Sequence, residues 1–253
     1  MYLHPLLAAV PAHERSDWIQ TIELRYFRRN ETVLQAHEWT QHAYCVGSGL
    51  LRVVVPGSGS EVTTDFNRRN DFFMGPTFTD GPYQASATLI AALPSAVYFI
   101  PLPALIGLCR KYPSVTRGLL EIMLVRTATL RKQISRISSS SSERLVSRTL
   151  HELTQLAPVG VGGYDKRITQ SVIASYAGLS REQVNKTMRD LELRGLVHKD
   201  EEGGVQVPPA FASSDFNMPT DIHTAPPEVT PEQAALDSFS DLLDGIQKDP
   251  DAT

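Results

Sequence analysis

The spacing of apolar residues changes near residue 113, and this change limits the fold more than any other feature of the sequence. Before it, apolar stretches of about five residues alternate with Gly, Pro, Asn and Asp at roughly ten-residue intervals, which is typical of short antiparallel strands. After it, apolar residues recur every three or four positions, the period of an α-helix. The sequence therefore predicts an α+β chain in which most of the strands precede most of the helices.

The strand-rich part covers residues 21–100 and follows a short helical lead-in over residues 1–20. Short strands that are separated by turn residues pair with one another, so we expect an antiparallel sandwich or barrel here. The apolar stretches that carry this prediction are residues 32–34, 43–46, 50–55, 87–91 and 96–100.

A single long helix is predicted from Ser114 to about Ile137, with about six turns and a length of about 36 Å at 1.5 Å per residue. Its narrow apolar stripe has no obvious partner within the chain, so we expect it to pair with the same helix of a second copy. Packing onto the chain's own strands is the alternative, and it must hold in part. The expected dimer interface is Leu120, Met123, Leu124, Thr127, Leu130, Ile134 and Ile137.

Five consecutive serines, Ser138–Ser142, follow this helix. A serine run is a poor helix former and is typical of a flexible connection, so we interpret it as a hinge. A helix that is merely interrupted by a polar patch is the alternative. Residues 143–156 return to helical spacing, and the glycine-rich residues 158–163 are expected to form a loop.

Two short helices with a sharp turn between them are predicted within residues 168–197. Thr169 is placed to cap a helix that runs through Ala177, and Gly178 supplies the left-handed backbone that ends it. Ser180 and Gln183 have the spacing of a capping box, which begins the second helix. The buried face of that helix is expected to be Val184, Met188 and Leu191.

This division of the second helix suits the recognition helix of a helix-turn-helix, because apolar residues fix it while polar residues near its N-terminus reach base edges in the major groove. An ordinary helical hairpin is the alternative. Residues 191–207 then predict a helix end, a strand, a turn at Gly203–Gly204 and a second strand, which together form a wing.

These features resemble the catabolite-activator/fumarate-nitrate-regulator (Crp/Fnr) superfamily over about residues 20–207. The resemblance rests on the order of strands, long helix and helix-turn-helix, and on the motifs at 43–53, 71–75 and 168–186. It implies a cyclic-nucleotide-binding-like barrel, also called a double-stranded β-helix, a dimerisation helix and a winged helix-turn-helix. The expected domains are 1–112, 113–142, 143–208 and an acidic tail, 209–253.

The resemblance also assigns roles on the second helix, and base-edge chemistry supports the same pairings. Arg181 is expected to donate to a guanine and Glu182 to accept from cytosine N4, within a palindrome of TGTGA-like half-sites about 34 Å apart. The residues expected to read bases are Arg181, Glu182, Asn185 and Lys186. Those expected to contact phosphates are Thr169, Ser180, Gln183 and Arg189.

The expected effector pocket departs from the cyclic-AMP pattern of this family. Pro76 follows Gly75 where the family has an acidic residue, and Ala85–Ser86 stand where it has an Arg-Ser pair that holds the cyclic phosphate. A buried phosphate without a cation is unfavourable, so we expect no cyclic AMP. Another cyclic nucleotide or dinucleotide, or no effector at all, remains open, and no other cofactor is expected. The pocket residues would be Gly75, Pro76, Ala85, Ser86, Ala87 and Thr127.

Charge and composition are compatible with a DNA-binding protein. The chain has a net charge of −4, but residues 209–253 contain nine acidic residues and one lysine, which leaves the rest of the chain at +4. Pro, Ser, Thr and acidic residues are frequent in this tail, which predicts disorder with a short helix over 231–246. That helix is expected to dock on a partner such as RNA polymerase, to fold back onto the basic helix or the DNA site, or to act only as a solubilising tail.

Enzymatic and membrane functions find little support in the sequence. The two cysteines, Cys45 and Cys109, cannot build a four-thiolate metal site, and no metal site is expected. A cupin-like metal-dependent enzyme is the competing hypothesis, for which His37, Glu38 and His42 are the candidate ligands. No apolar run is long enough to span a bilayer, so we expect a cytoplasmic protein that is not an enzyme.

Overall fold

The structure is a computed structural model that describes residues 1, 4–57, 61–199 and 205–207. The predicted tail, its helix at 231–246 and the Gly203–Gly204 turn lie outside the described residues. The described part has the predicted order, with a strand-rich region first, then a long helix, then a small helical module.

The strand-rich region contains ten antiparallel strands, and it begins with a 3-10 turn and helix α1, as predicted for residues 1–20. The strands form one four-stranded sheet in the order β1-β10-β4-β7, a second in the order β2-β9-β5-β6, and the pair β3-β8. The bounds are Pro5–Leu7 for the turn, α1 Ala12–Ile19, β1 Glu23–Phe27, β2 Thr32–Leu34, β3 Trp39–Thr40, β4 His42–Ser48, β5 Leu51–Pro56, β6 Glu61–Asn67, β7 Phe72–Phe73, β8 Tyr83–Gln84, β9 Thr88–Ala91 and β10 Ser95–Pro101.

The sheets pack face to face and do not close into a hydrogen-bonded barrel, which refines the barrel expectation. Side chains of both four-stranded sheets share one core, in which Val46 and Val97 of one sheet meet Leu51 and Leu89 of the other. The edge strands do not pair across the gap. One reason is that β7, at the edge of the first sheet, is only two residues long.

Gly49 makes the connection between β4 and β5 possible. Its φ is +83°, and a Cβ at this position would lie 2.3 Å from the carbonyl oxygen of Pro94. Only glycine combines that backbone conformation with so close an approach. The turn that Gly49 permits carries the chain from one sheet to the other.

Two helices follow the strands, and the second is the predicted long helix. It begins at Pro113, a residue favoured in the first helical turn, and its 27 residues give a length of about 40 Å. The serine run is a short break, because Ser139 still ends this helix, Ser140 is extended and Ser141 caps the next helix. The helices are α2 Leu102–Lys111, α3 Pro113–Ser139 and α4 Ser142–Leu156.

The remaining described residues form a small module whose core is built mainly from α4 and the two helices after it. Leu50, Phe66, Ala92 and Leu93 of the strand-rich region belong to the same core. Residues 158–163, expected to be a loop, contribute to a hairpin that joins the wing in a four-stranded sheet, β11-β12-β14-β13. Backbone hydrogen bonding defines these strands. Each is only two residues long, which is too short to show the alternation of apolar and polar residues that predicts a strand from sequence. The elements are β11 Pro158–Val159, β12 Gly163–Tyr164, α5 Gln170–Ala177, α6 Arg181–Leu193, β13 His198–Lys199 and β14 Val205–Gln206.

Candidate nucleic-acid interface

Helix α5 begins and ends where the sequence predicted. The Thr169 side chain accepts a hydrogen bond from the backbone N–H of Val172, and Gly178 ends the helix with a φ of +68°. A Cβ on Gly178 would also lie 3.3 Å from Ile137 Cγ2, so the turn between α5 and α6 lies against the end of the long helix.

Helix α6 begins with a complete capping box. Ser180 Oγ accepts from the Gln183 backbone N–H at 3.1 Å, and Gln183 Oε1 accepts from the Ser180 backbone N–H at 2.9 Å. The inward face of the helix consists of Val184, Met188 and Leu191, all buried, as predicted. The recognition-type helix is therefore fixed both at its N-terminus and along one side.

The polar residues of α6 lie on the opposite side. Those that are exposed are Arg181, Glu182, Gln183, Lys186, Arg189 and Asp190. Asn185 differs from them, because it is half-buried and its Oδ1 is shielded from solvent, with no hydrogen-bond partner among the described residues. Among the four residues expected to read bases, Asn185 is thus the least available.

Two helix N-termini add partial positive charge to this surface. Thr169 and Ser180, the caps of α5 and α6, are both exposed. Unpaired backbone N–H groups and the helix dipole favour an anion at such ends. The cap hydroxyls accept from the backbone in the structure, and each still has a proton to donate outward.

A buried polar cluster, which the sequence analysis missed, holds α5 against α4 and α3. Glu152 is almost fully buried, and it accepts from Arg148 Nε at 2.7 Å, from the Tyr176 hydroxyl at 3.0 Å and from Arg136 Nη1 at 3.5 Å. Gln133 of α3 donates to the carbonyl oxygen of Tyr176. Burial, followed by the neighbouring Glu152 charge, raises the pKa of Tyr176 well above its ordinary value, so the phenol remains a donor.

Strand β6 also contacts α5 directly. The Ser175 hydroxyl donates to the carbonyl oxygen of Glu61 and accepts from the Thr63 backbone N–H at 2.7 Å. One residue further along α5, the Tyr176 ring meets the Phe66 ring edge-on, with centroids 4.9 Å apart. The helix-turn-helix is therefore docked on the strand-rich region through its first helix, and α6 stays outside this contact.

A small cavity of about 230 Å³ lies between the strands and α3. Ser86 and Ala87, two of the six residues expected to form the effector pocket, are among the residues that line it. It is lined by Val53, Val55, Thr64, Asp65, Phe73, Ser86, Ala87, Arg126 and Leu130.

The other four expected pocket residues lie elsewhere. A Cβ on Gly75 would be 2.0 Å from the Tyr83 ring, so that ring covers Gly75. Pro76 is exposed, and Ala85 is buried in the sheet core. Thr127 is exposed on α3, where its hydroxyl donates to the helix's own Met123 carbonyl.

The expected dimer stripe on α3 divides into two sides. Met123 and Leu130 turn inward, toward the packed N-terminal core and the cavity respectively. Leu120, Leu124 and Ile134 are 57%, 59% and 67% exposed, while Ile137 is 40% exposed and lies beside Gly178. With Thr127, the outward residues lie on one face, at intervals of three or four positions except for one interval of seven between Thr127 and Ile134.

The three candidate metal ligands of the cupin-like alternative have local roles. His37 adopts a φ of +68° in a turn, Glu38 accepts from the backbone N–H of Gln35, and the His42 ring packs edge-on against Phe99. In the part of the chain that the structure describes, no three potential metal ligands of the His, Cys, Asp or Glu types come together.

Two family models match the chain in the order in which the structure places the regions. The cyclic nucleotide-binding domain model matches residues 24–112 and the Crp-like helix-turn-helix domain model matches residues 143–208, together more than half of the chain. The chain belongs to the Crp/Fnr superfamily. It is a DNA-binding transcription regulator with a cyclic nucleotide-binding domain, and not an enzyme.

Solved structures share this Crp/Fnr fold at low sequence identity. FixK2 from Bradyrhizobium japonicum is 15% identical, with a TM-score of 0.67 over 79% of this chain and 99% of that one. A CooA mutant from Carboxydothermus hydrogenoformans is 11% identical, with a TM-score of 0.63 over 81% and 90%. The c-di-GMP-responsive global regulator CLP from Xanthomonas campestris is 17% identical, with a TM-score of 0.62 over 78% and 100%.

A search of curated proteins found no match. Among the described residues of this Crp/Fnr protein, no helix combines the length and apolar character needed to cross a bilayer.

Proposed function

We propose that this protein is a homodimeric regulator that recognises a specific palindromic DNA sequence through helix α6. The observation that carries the proposal is the division of α6, whose apolar side is buried while Arg181, Glu182 and Lys186 remain in solvent. A rigid helix with a polar face near its N-terminus is what direct reading of the major groove requires.

Base-edge chemistry suggests a role for each of these side chains. The planar guanidinium of Arg181 matches guanine O6 and N7, while the Glu182 carboxylate can accept from cytosine N4. Lys186 would reach a further base or a phosphate. We expect a G·C-containing half-site of the TGTGA type, repeated as a palindrome with half-sites about 34 Å apart.

Phosphate contacts would hold α6 in register without reading sequence. Thr169 and Ser180 offer hydroxyl donors at two helix N-termini, and the side chains of Gln183 and Arg189 are exposed on the same helix as the reading residues. Because Gln183 uses only its oxygen in the capping box, both N–H groups of its amide remain available to a phosphate.

The homodimer proposal rests on the outward side of α3. Leu120, Leu124 and Thr127 follow the four- and three-residue spacing of a two-helix seam, and Ile134 lies one heptad after Thr127. The two leucines and the isoleucine are more than half exposed. A second copy supplies a helix of the same length and period, and its twofold symmetry matches a palindromic site.

Leu124→Arg tests this seam. We expect it to shift the purified protein from dimer to monomer in analytical ultracentrifugation, because an isologous seam would place the two new charges together. Leu193→Arg is the matched control, since Leu193 is 86% exposed outside α3, and it should stay dimeric. If the Leu124→Arg protein remained a dimer, the outward side of α3 would not be the dimer interface.

For the cyclic nucleotide-binding domain we propose an effector other than cyclic AMP, or none. Of the described residues that line the cavity, Arg126 is the one with a basic side chain, and it is already paired with Asp65 at 2.7 Å. We also expect the protein to interact with RNA polymerase.

DNA binding by α6 is tested with Arg181→Ala in a mobility-shift titration against specific and random duplexes. We expect specific binding to weaken by about 1–3 kcal/mol while random-sequence binding persists, because base contacts discriminate and phosphate contacts do not. Arg194→Ala is the matched control, since Arg194 is exposed after the end of α6 and pairs with Glu143. Unchanged specific binding by Arg181→Ala would refute the proposed role.

A further inference from the structure

Arg126 joins the long helix to strand β6 beside the cavity. Its Nη2 donates to the Asp65 carboxylate at 2.7 Å and to the Asn67 side-chain oxygen, and its Nη1 donates to the Phe72 carbonyl oxygen at 3.2 Å. The side chains of Asp65 and Arg126 are 15% and 19% exposed, so water screens this pair only weakly. The protein's own carboxylate therefore neutralises the cation that faces the cavity.

The same strand contacts the DNA-binding module. Thr63, two residues before Asp65, bonds to Ser175 through both its backbone N–H and its hydroxyl, at 2.7 and 2.9 Å. Phe66, the residue after Asp65, packs on Tyr176. Strand β6 thus holds α3 at Asp65 and Asn67, and holds α5 at Thr63 and Phe66.

We propose that the Asp65–Arg126 pair is an internal substitute for an effector anion and positions the helix-turn-helix for DNA without a ligand. The Asp65 carboxylate pairs with the Arg126 guanidinium, to which an anionic effector would otherwise bind. This pair keeps α3 and β6 joined in the free protein. Asp65, Arg126, Thr63 and Ser175 are then positioning residues for DNA binding. This inference rests on the proposed function of α6.

The cavity chemistry leads to a second consequence. Every cyclic nucleotide carries a phosphate that must be neutralised once it leaves water. Among the described side chains that line the cavity, Arg126 alone is basic. A phosphate that bound Arg126 would have to displace the Asp65 carboxylate, which would leave that largely buried charge without its partner. Cyclic mono- and dinucleotides are therefore expected neither to bind this cavity nor to change DNA affinity.

The test uses the full-length protein and a duplex that the wild type selects from random sequence. Asp65→Asn keeps the shape of the side chain and removes its charge. We expect specific DNA affinity to fall by about 5- to 150-fold, the usual range for coupling between sites, at unchanged dimerisation and random-sequence binding. Glu61→Gln is the matched control, because it removes an ion pair with Arg52 from the same strand without touching α3, and it should bind like the wild type.

Ser175→Ala tests the other end of the same connection and should lower specific affinity in the same direction, including if Asp65→Asn fails to fold. The inference is overturned if folded Asp65→Asn and Ser175→Ala bind as tightly as the wild type. It is also overturned if cyclic AMP, cyclic GMP or cyclic di-GMP strengthens DNA binding by the wild type. If Arg181→Ala loses specific binding while these variants do not, only this inference fails. If Arg181→Ala binds normally, the proposed function fails first.

Discussion

Arg181 at the start of α6 and Arg126 in the middle of α3 differ in their exposure and in their pairing. Arg181 is exposed on a helix whose other side is buried, whereas Arg126 is shielded and bound by Asp65, Asn67 and the Phe72 carbonyl. A guanidinium that the fold leaves in water is available to an external anion, and one that the fold pairs internally connects elements of the protein. The difference separates the surface that meets DNA from the region that positions it.

Glu152 extends this comparison to the carboxylates of α4. Glu152 is nearly fully buried among Arg148, Arg136 and Tyr176, while Glu143, on the same helix, pairs with Arg194 in solvent at 2.7 Å. Removing one member of a buried pair leaves uncompensated charge, but an exposed pair is screened by water.

The largest effect is therefore expected for Glu152→Ala, which leaves Arg148 and Arg136 without their shared carboxylate. We expect the free energy of unfolding to fall by about 3–5 kcal/mol, measured by urea denaturation. Glu143→Ala is the matched control and should cost at most about 1 kcal/mol. Equal losses in the two variants would show that burial does not distinguish these ion pairs.

A smaller effect is expected for Gly178→Ala, at the turn that separates α5 from α6. A non-glycine residue in the left-handed region costs about 1–2 kcal/mol, and the added Cβ would lie 3.3 Å from Ile137 Cγ2. The melting temperature should fall in a thermal scan.

Gly107→Ala is the control for this change. Gly107 is exposed within α2 and a Cβ there meets nothing within 4 Å, so alanine should raise stability by up to about 1 kcal/mol. A Gly178→Ala protein as stable as the wild type would exclude a strained turn at this position.

The smallest effect on stability is expected for Ser180→Ala, which removes the cap of α6 and costs about 1 kcal/mol. Ser141→Ala removes the cap of α4 and should cost a similar amount. The two variants should differ in a mobility shift, because only Ser180 lies on the surface proposed to contact phosphates. Equal DNA affinity of the two variants would show that Ser180 does not contact a phosphate.

The sequence predicted the helix-turn-helix residue by residue because its signals are local. The cap at Thr169, the left-handed turn at Gly178 and the box formed by Ser180 and Gln183 each involve residues within four positions of one another. Propensity and capping chemistry act at that range, so they can be recognised without knowing the fold.

The connections around this module could not be predicted because they join distant residues. Thr63 and Ser175 are 112 positions apart, and Asn67 and Arg126 are 59 apart. Charged and hydroxyl side chains of this kind also occur commonly on protein surfaces, so only the packing of β6 against α3 and α5 identifies their partners. The buried pair Arg148 and Glu152 did carry a local signal, an i,i+4 spacing of opposite charges, but that spacing does not reveal burial.

The lining of the cavity overlaps only in part with the residues expected to form the effector pocket. The family resemblance led to Ser86 and Ala87, which do line it, but it also suggested Gly75 and Thr127. Tyr83 covers the first, and the helical phase of α3 turns the second outward. Both outcomes depend on side-chain placement in three dimensions, which a motif does not encode.

Selection of binding sites from random duplex DNA, with the wild type and Arg181→Ala compared, tests the central claim most directly. The account predicts that the wild type enriches an inverted repeat whose half-sites are about 10 base pairs apart, with a G·C pair in each. Arg181→Ala should lose the preference at one symmetric position in both half-sites. Enrichment of no inverted repeat, or an unchanged preference in the variant, would contradict the claim that α6 reads DNA.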